Sequence, residues 1–249
     1  MDLDTGDHRT VRRIYIRHAE KEYSNGDSDM YKHDPGITER GVQKSKMVAK
    51  YLIDKWGIPS KIISSPYKRT RETASVMKSV ISGPVISSKT ISAPPGYEKR
   101  PDPIKIVIDR DVSEYLGNHR NIPIDVTEST LTYDPPHPES FSEMRLRVRT
   151  HNDKITNSLS GSGNRTGPIW IVTHGLIIKE LAALIDIKMA RDFPSLTCLS
   201  ILSQEKITEG SVIVFHDDPE NISEELEECQ LSNSSSPPKI PQLAFSAER

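Results

Sequence analysis

Three short apolar runs frame the chain. Val11-Arg12-Arg13-Ile14-Tyr15-Ile16, Lys61-Ile62-Ile63-Ser64 and Ile169-Trp170-Ile171-Val172 are rich in β-branched residues and read as strands. Helical spacing accompanies each of them. Thr38 is placed to cap a helix in which Val42, Ala49, Leu52, Ile53 and Trp56 recur as far as Gly57 and Pro59, which stop it. Gly41, not Glu, stands at the capping-box position of that helix. Tyr67 to Val80 predicts a second helix, ended by Ser82-Gly83-Pro84. A third runs from Pro138 to about Leu159, with Met144, Val148, Ile155 and Leu159 as an interrupted apolar stripe. Leu176 to Ile185 predicts a fourth, and Thr197 to Leu202 and Ser211 to Phe215 read as two late strands. Strands alternating with helices argue an α/β fold: a mostly parallel central sheet covered by helices.

The pattern breaks in several places. Residues 1–10 are a polar lead-in, expected to be flexible, and Glu22 to Pro35 is a loop rich in Asp, Ser, Asn and Gly. Residues 86–137 are punctuated by Pro94-Pro95-Gly96, Pro101, Pro103, Pro123 and Pro135-Pro136, with one apolar run at Ile104 to Ile108. A stretch of that length inside one domain is commonly functional or disordered. Residues 217–249 are first acidic, then Ser- and Pro-rich, and read as a disordered tail.

At 249 residues, one domain spanning 11–216 with tails is the simplest organisation. The formal net charge of -2 is unevenly spread: eight acidic residues against two basic ones lie beyond His216, so the body is mildly basic. That suits a phosphorylated partner and gives no strong sign of nucleic acid. The two cysteines, Cys198 and Cys229, form no disulfide framework and no metal-ligand spacing. Neither a signal-peptide pattern nor an apolar run of about 18 residues occurs, so an intracellular, non-membrane location is expected, cytoplasmic by default with the nucleus as the alternative.

The chemistry is concentrated where the three strands end. The first runs into Arg17-His18-Ala19-Glu20, the second into Ser64-Ser65-Pro66-Tyr67-Lys68-Arg69, the third into Thr173-His174-Gly175. A guanidinium holds an oxyanion in its planar fork, and an imidazole can act as a nucleophile. In this order the three motifs resemble the histidine phosphatase superfamily, the phosphoglycerate-mutase-like family. Its pattern is R-H-G/A-E, then S-S-P-x-x-R-x-x-x-T-A, then a late apolar strand ending in x-H-G/A. The resemblance runs from about Arg12 to His216.

It implies a three-layer αβα sandwich and phosphate-monoester hydrolysis through a phosphohistidine, with no metal and no organic cofactor. His18 would be the nucleophile. Arg17, Arg69 and His174 would bind the phosphoryl oxygens, and the insertion at 86–137 would fold over the pocket and choose the substrate, whether small molecule or phosphoprotein. Two neighbouring guanidiniums would keep His18 neutral. Val112-Ser113-Glu114-Tyr115-Leu116-Gly117 is similar to the family's general-acid segment, one residue short, and makes Glu114 the proton donor ahead of Asp109, Asp111 and Glu139. Glu139-Ser140 resembles a segment that supports the site in the family. Glu20 and Asn25, the latter one place late, match positions near the family's substrate. Lys21 is a further cation beside the first motif, and Arg71 reads as a solvated helix residue.

Two other readings stay open. A mutase would carry R-H-G-E-S-x-W-N, from which Ala19, Lys21 and Ser24 depart. A non-catalytic binding or scaffold module would keep the fold and use the insertion and acidic tail; retention of Arg17, His18, Arg69 and His174 argues against it.

Overall fold

A computed structural model describes residues 11–22, 34–82, 104–115, 139–160, 167–187, 189, 196–203, 207–215 and 222–227. Residues 1–10, Asn25 and most of the 86–137 insertion lie outside the described residues. The strands are β1 (Val11–Arg17), β2 (Lys61–Ser64), β3 (Ile106–Ile108), β4 (Ile169–Thr173), β5 (Cys198–Ser203), β6 (Ile207–Phe215) and β7 (Ile222–Glu227). They form one sheet in the order β3-β2-β4-β1-β5-β6-β7. β3, β2, β4 and β1 are mutually parallel, while β5, β6 and β7 continue antiparallel from β1.

The helices are α1 (Glu39–Trp56), α2 (Lys68–Ser82), α3 (Phe141–Ser160) and α4 (Gly175–Ala183). Strand alternation sends successive side chains to opposite faces and so assigns a helix pair to each. Ile14, Ile16, Ile62, Trp170 and Val172 pack with Val48, Ala49, Leu52, Ala74 and Met77 of α1 and α2. Tyr15, Ile63, Ile169 and Ile171 pack with Met144, Val148, Ile177, Ile178 and Leu181 of α3 and α4. The result is the three-layer α/β sandwich, its central strands buried on both faces as parallel strands require.

The interrupted stripe of α3 is completed by a polar residue. His151 lies between Val148 and Ile155 on the buried side of the helix, and its Nδ1 meets Asp109 Oδ2 at 3.1 Å. Two boundaries need correction. Ile106 to Ile108, placed by the sequence inside an irregular insertion, is a strand of the main sheet, paired with β2. Ile222 to Glu227, assigned to the disordered tail, is the strand that pairs with β6 along six residues. Acidic composition argued against order there; the ladder on a buried neighbour supplies backbone partners that composition does not register.

Candidate active site

β1, β4 and β2 are neighbours and parallel, so their motifs emerge side by side at their C-terminal ends, where open α/β sheets place ligands. The His18 N–H donates to the Thr173 carbonyl at 2.9 Å, fastening the two strand ends together. The loop after β1 is held by α2 and α1. Thr73 Oγ1 accepts the Ala19 N–H at 3.0 Å and itself donates to the Arg69 carbonyl. Thr38 caps α1 through Gly41 N–H at 3.0 Å, as predicted. A Cβ at Gly41 would meet the Glu20 carbonyl at 3.0 Å and Ala19 Cβ at 3.2 Å, which accounts for glycine where a capping box has Glu. Glu20 faces this cap: its Oε2 accepts from Thr38 Oγ1 at 3.0 Å. That places it in the support of α1.

His18, Arg69, Glu114 and His174 come together. The rings of His18 and His174 are 5.4 Å apart, edge to face. Arg69 Nη2 lies 3.2 Å from His174 Nδ1 and 3.4 Å from Glu114 Oε2, and Glu114 Oε2 lies 3.1 Å from His174 Nδ1. Arg17 is the last residue of β1, in register with Thr173, and its charge is felt at Lys21 together with those of Arg69 and Glu114. Burial, then the neighbouring Arg69, lower the ammonium pKa of Lys21, so this third cation stands at the pocket as well.

Sequence reasoning passed over several supporting residues. Asp34 Oδ1 meets Arg69 Nη1 at 3.3 Å, while Oδ2 accepts the Lys68 N–H at 2.6 Å, capping α2 from a distant loop. Tyr67 packs against both Arg69, 4.5 Å from guanidinium to ring centre, and His174, edge to face with 4.9 Å between rings. Arg147 is buried, grips Glu139 in two hydrogen bonds of 2.7 and 2.8 Å, and donates to the carbonyls of Asp111 and Ser113. It therefore secures the backbone that presents Glu114, and Glu139 is its counter-charge. Ser65 Oγ lies 2.8 Å from His174 Nε2. Of these, Ser65 had a signal in the serine pair preceding Pro66, and Arg147 a weaker one in its place on the buried side of α3.

The electrostatics favour neutral imidazoles beside an ionised carboxylate. Burial, then His174 and Arg69, push the His18 pKa well below its ordinary value. Burial lowers His174 to about 4, with Arg69 adding to it and Glu114 opposing. Burial alone would raise Glu114; the hydrogen bond and charge of its partners His174 and Arg69 more than reverse this and hold it well below the usual carboxylate range. An N–H donated by His174 Nδ1 and the charge of Arg69 both favour the carboxylate form of Glu114.

One ring nitrogen each from His18 and His174 and an oxygen of Glu114 fall within 4.8 Å of one another. Such a donor set suits a transition-metal ion. Arg69 Nη2 stands within hydrogen-bond reach of Glu114 Oε2 and His174 Nδ1 in the same cluster. Asp109, Asp111 and His151 form a second such cluster, in which Lys154 Nζ lies 2.7 Å from Asp111 Oδ2. Among the described residues no helix is long and apolar enough to cross a membrane.

A mostly parallel sheet between two helical layers, with imidazoles and guanidiniums at the ends of its central strands, defines a histidine-phosphatase-type fold. Residues 14–92 match the model of the histidine phosphatase superfamily (branch 1). Over those residues, which include the first two of the three motifs, the chain is similar to this superfamily. Solved structures agree on the fold. A phosphoglycerate mutase from Bacillus anthracis is 18% identical, with a TM-score of 0.53, over 83% of this chain and 92% of that one. A mycobacterial glucosyl-3-phosphoglycerate phosphatase is 19% identical, with a TM-score of 0.51, over 90% of this chain and all of that one (100%). No curated protein matches the chain in sequence.

Proposed function

We propose that the protein hydrolyses phosphate monoesters through a phosphohistidine at His18. The orientation of that imidazole carries the reading. Its Nδ1 lies 2.7 Å from the Ala19 carbonyl oxygen, which can only accept, so Nδ1 bears the proton and Nε2 holds the lone pair. Burial beside Arg69 keeps the ring neutral and nucleophilic at working pH.

His18 Nε2 attacks phosphorus, the N–P bond forms and the ester P–O bond breaks. Arg17, Arg69 and His174 receive the charge on the non-bridging oxygens, the largest electrostatic contribution in such a transfer. The leaving oxygen takes a proton from Glu114. Glu114 is held as a carboxylate before substrate binds, so it acquires that proton with the substrate: a phosphate dianion beside it raises its pKa and draws Arg69 away. Water then attacks phospho-His18, loses a proton to Glu114 and releases inorganic phosphate.

Hydrolysis is favoured over a mutase reaction because Ala19, Lys21 and Ser24 depart from the mutase motif. The substrate is a phosphorylated small molecule or phosphoprotein, with no metal or organic cofactor required.

The test uses two esters. His18→Ala abolishes turnover of both an aryl and an alkyl phosphate. Glu114→Gln slows the alkyl ester by about 10²–10⁴-fold and the aryl ester much less, because only the poor leaving group needs the proton. Chelator leaves both rates unchanged. Wild-type turnover in His18→Ala, or its loss to chelator, overturns the reading. If Asp109 or Asp111 shows the leaving-group dependence instead, the acid is reassigned.

A further inference from the structure

We infer that Ser65 is a positioning residue that fixes His174 in the tautomer carrying its proton on Nδ1, aimed at Glu114 and the phosphoryl site. The catalytic consequence rests on the function proposed above; the tautomer does not.

Three contacts around His174 admit only certain proton arrangements. Nδ1 faces both Glu114 Oε2 at 3.1 Å and Arg69 Nη2 at 3.2 Å. A guanidinium only donates and an ionised carboxylate only accepts, so Nδ1 cannot serve both. Nε2 faces Ser65 Oγ at 2.8 Å. His174 is the partner of that hydroxyl among the described residues, and both are fully buried. A buried hydroxyl proton without an acceptor is costly. Donation from Ser65 Oγ to Nε2 uses it, and Nε2 then bears the lone pair. Nδ1–H donates to Glu114 Oε2, and Arg69 Nη2, 3.4 Å from the same oxygen, donates there as well. Ser65 Oγ–H, His174 Nδ1–H and Arg69 Nη2 then each have an acceptor. In the other tautomer the Ser65 proton loses its acceptor and an imidazole lone pair faces a carboxylate.

The surroundings leave the tautomer as the one freedom of this ring. Tyr67 and His18 pack against it edge to face, which holds its plane. Ser65 is equally fixed: its N–H donates to Val172 at 3.0 Å, and its carbonyl receives Ser64 Oγ at 2.9 Å and Thr70 Oγ1 at 2.8 Å. The hydroxyl is thus delivered from the end of β2 to the histidine at the end of β4 by backbone that cannot drift. A neutral histidine with Nδ1–H is a donor to phosphoryl oxygen; the opposite tautomer would repel it.

Nitrogen-15 spectra of the histidine rings in the intact, uninhibited protein test this without any variant. The expected result for His174 is a protonated, pyrrole-type Nδ1 and an unprotonated, pyridine-type Nε2. Ser65→Ala shifts the Nε2 resonance toward the protonated position and lowers kcat about 10- to 100-fold, less than the 10²–10³ of losing an oxyanion donor outright. Ser65→Cys, a weaker donor of similar shape, falls between the two in both measurements. An Nε2–H tautomer in the wild type, or a Ser65→Ala spectrum like the wild type's, overturns the inference. If no phosphate ester is turned over at all, the proposed function fails while the wild-type spectrum still decides the tautomer.

Discussion

Two carboxylates share Arg69, and they differ in purpose. Glu114 reaches it at 3.4 Å from the side of the proposed chemistry; Asp34 reaches it at 3.3 Å from the side of α2. Asp34 also stands in for the missing N-cap of α2, since its Oδ2 takes the Lys68 N–H. Loss of a capping oxygen costs about 1 kcal/mol, up to about 2. Asp34→Ala should therefore lower the unfolding free energy by that amount and move the denaturant midpoint down accordingly; an unmoved midpoint would mean that the cap contributes nothing. Nothing in the sequence around Asp34 announced this. The residue sits in a polar loop, and its partners are 34 and 35 positions away. His18, Arg69 and His174 were legible because each adjoins a strand end in its own local motif.

At the scale of elements, α3 holds the segment between β3 and Glu114 in place. Arg147 and His151, one turn apart on its buried side, engage the carbonyls of residues 111 and 113 and the Asp109 carboxylate. Removing one partner of a buried pair leaves the other uncompensated, at about 3–5 kcal/mol. Arg147→Met should cost that much in urea unfolding. The double change Arg147→Met with Glu139→Gln should recover part of it, because no charge is then stranded. Equal losses in single and double variants would show that the pair acts only through packing. β7 makes a similar case for the sheet. Composition alone predicts that a chain ending at Phe215 is as stable as the full one. With β7 present on β6, ending the chain at residue 221 strips six residues of ladder and bares the β6 edge, so the unfolding midpoint should drop and aggregation should rise. Unchanged behaviour would return those residues to the tail.

The whole molecule should respond to pH through its buried imidazoles. His18 and His174 have folded-state pKa values below the ordinary 6.5, His174 near 4. Between those limits the unfolded chain binds more protons than the folded one, so stability rises with pH. The stabilisation is complete above about 6.5 and is lost as pH falls toward 4. Melting temperatures across that window should climb with pH, and more shallowly in His174→Gln. A flat wild-type profile would mean that neither ring is held neutral by the fold.

The sequence by itself determined the alternation of strands and helices, the stops at Gly57 and Gly83-Pro84, and the three motifs that carry Arg17, His18, Arg69 and His174. These are local matters: side-chain periodicity and turn chemistry act within a few residues. Tertiary structure alone decided that β4 lies between β1 and β2, which sets His174 between His18 and Arg69. It also decided that Ile106 to Ile108 and Ile222 to Glu227 join the sheet, and that Ser65, Asp34 and Arg147 support the site. Those outcomes depend on which buried polar groups find partners across the fold, a condition satisfied between residues far apart in sequence and unmarked by any local pattern.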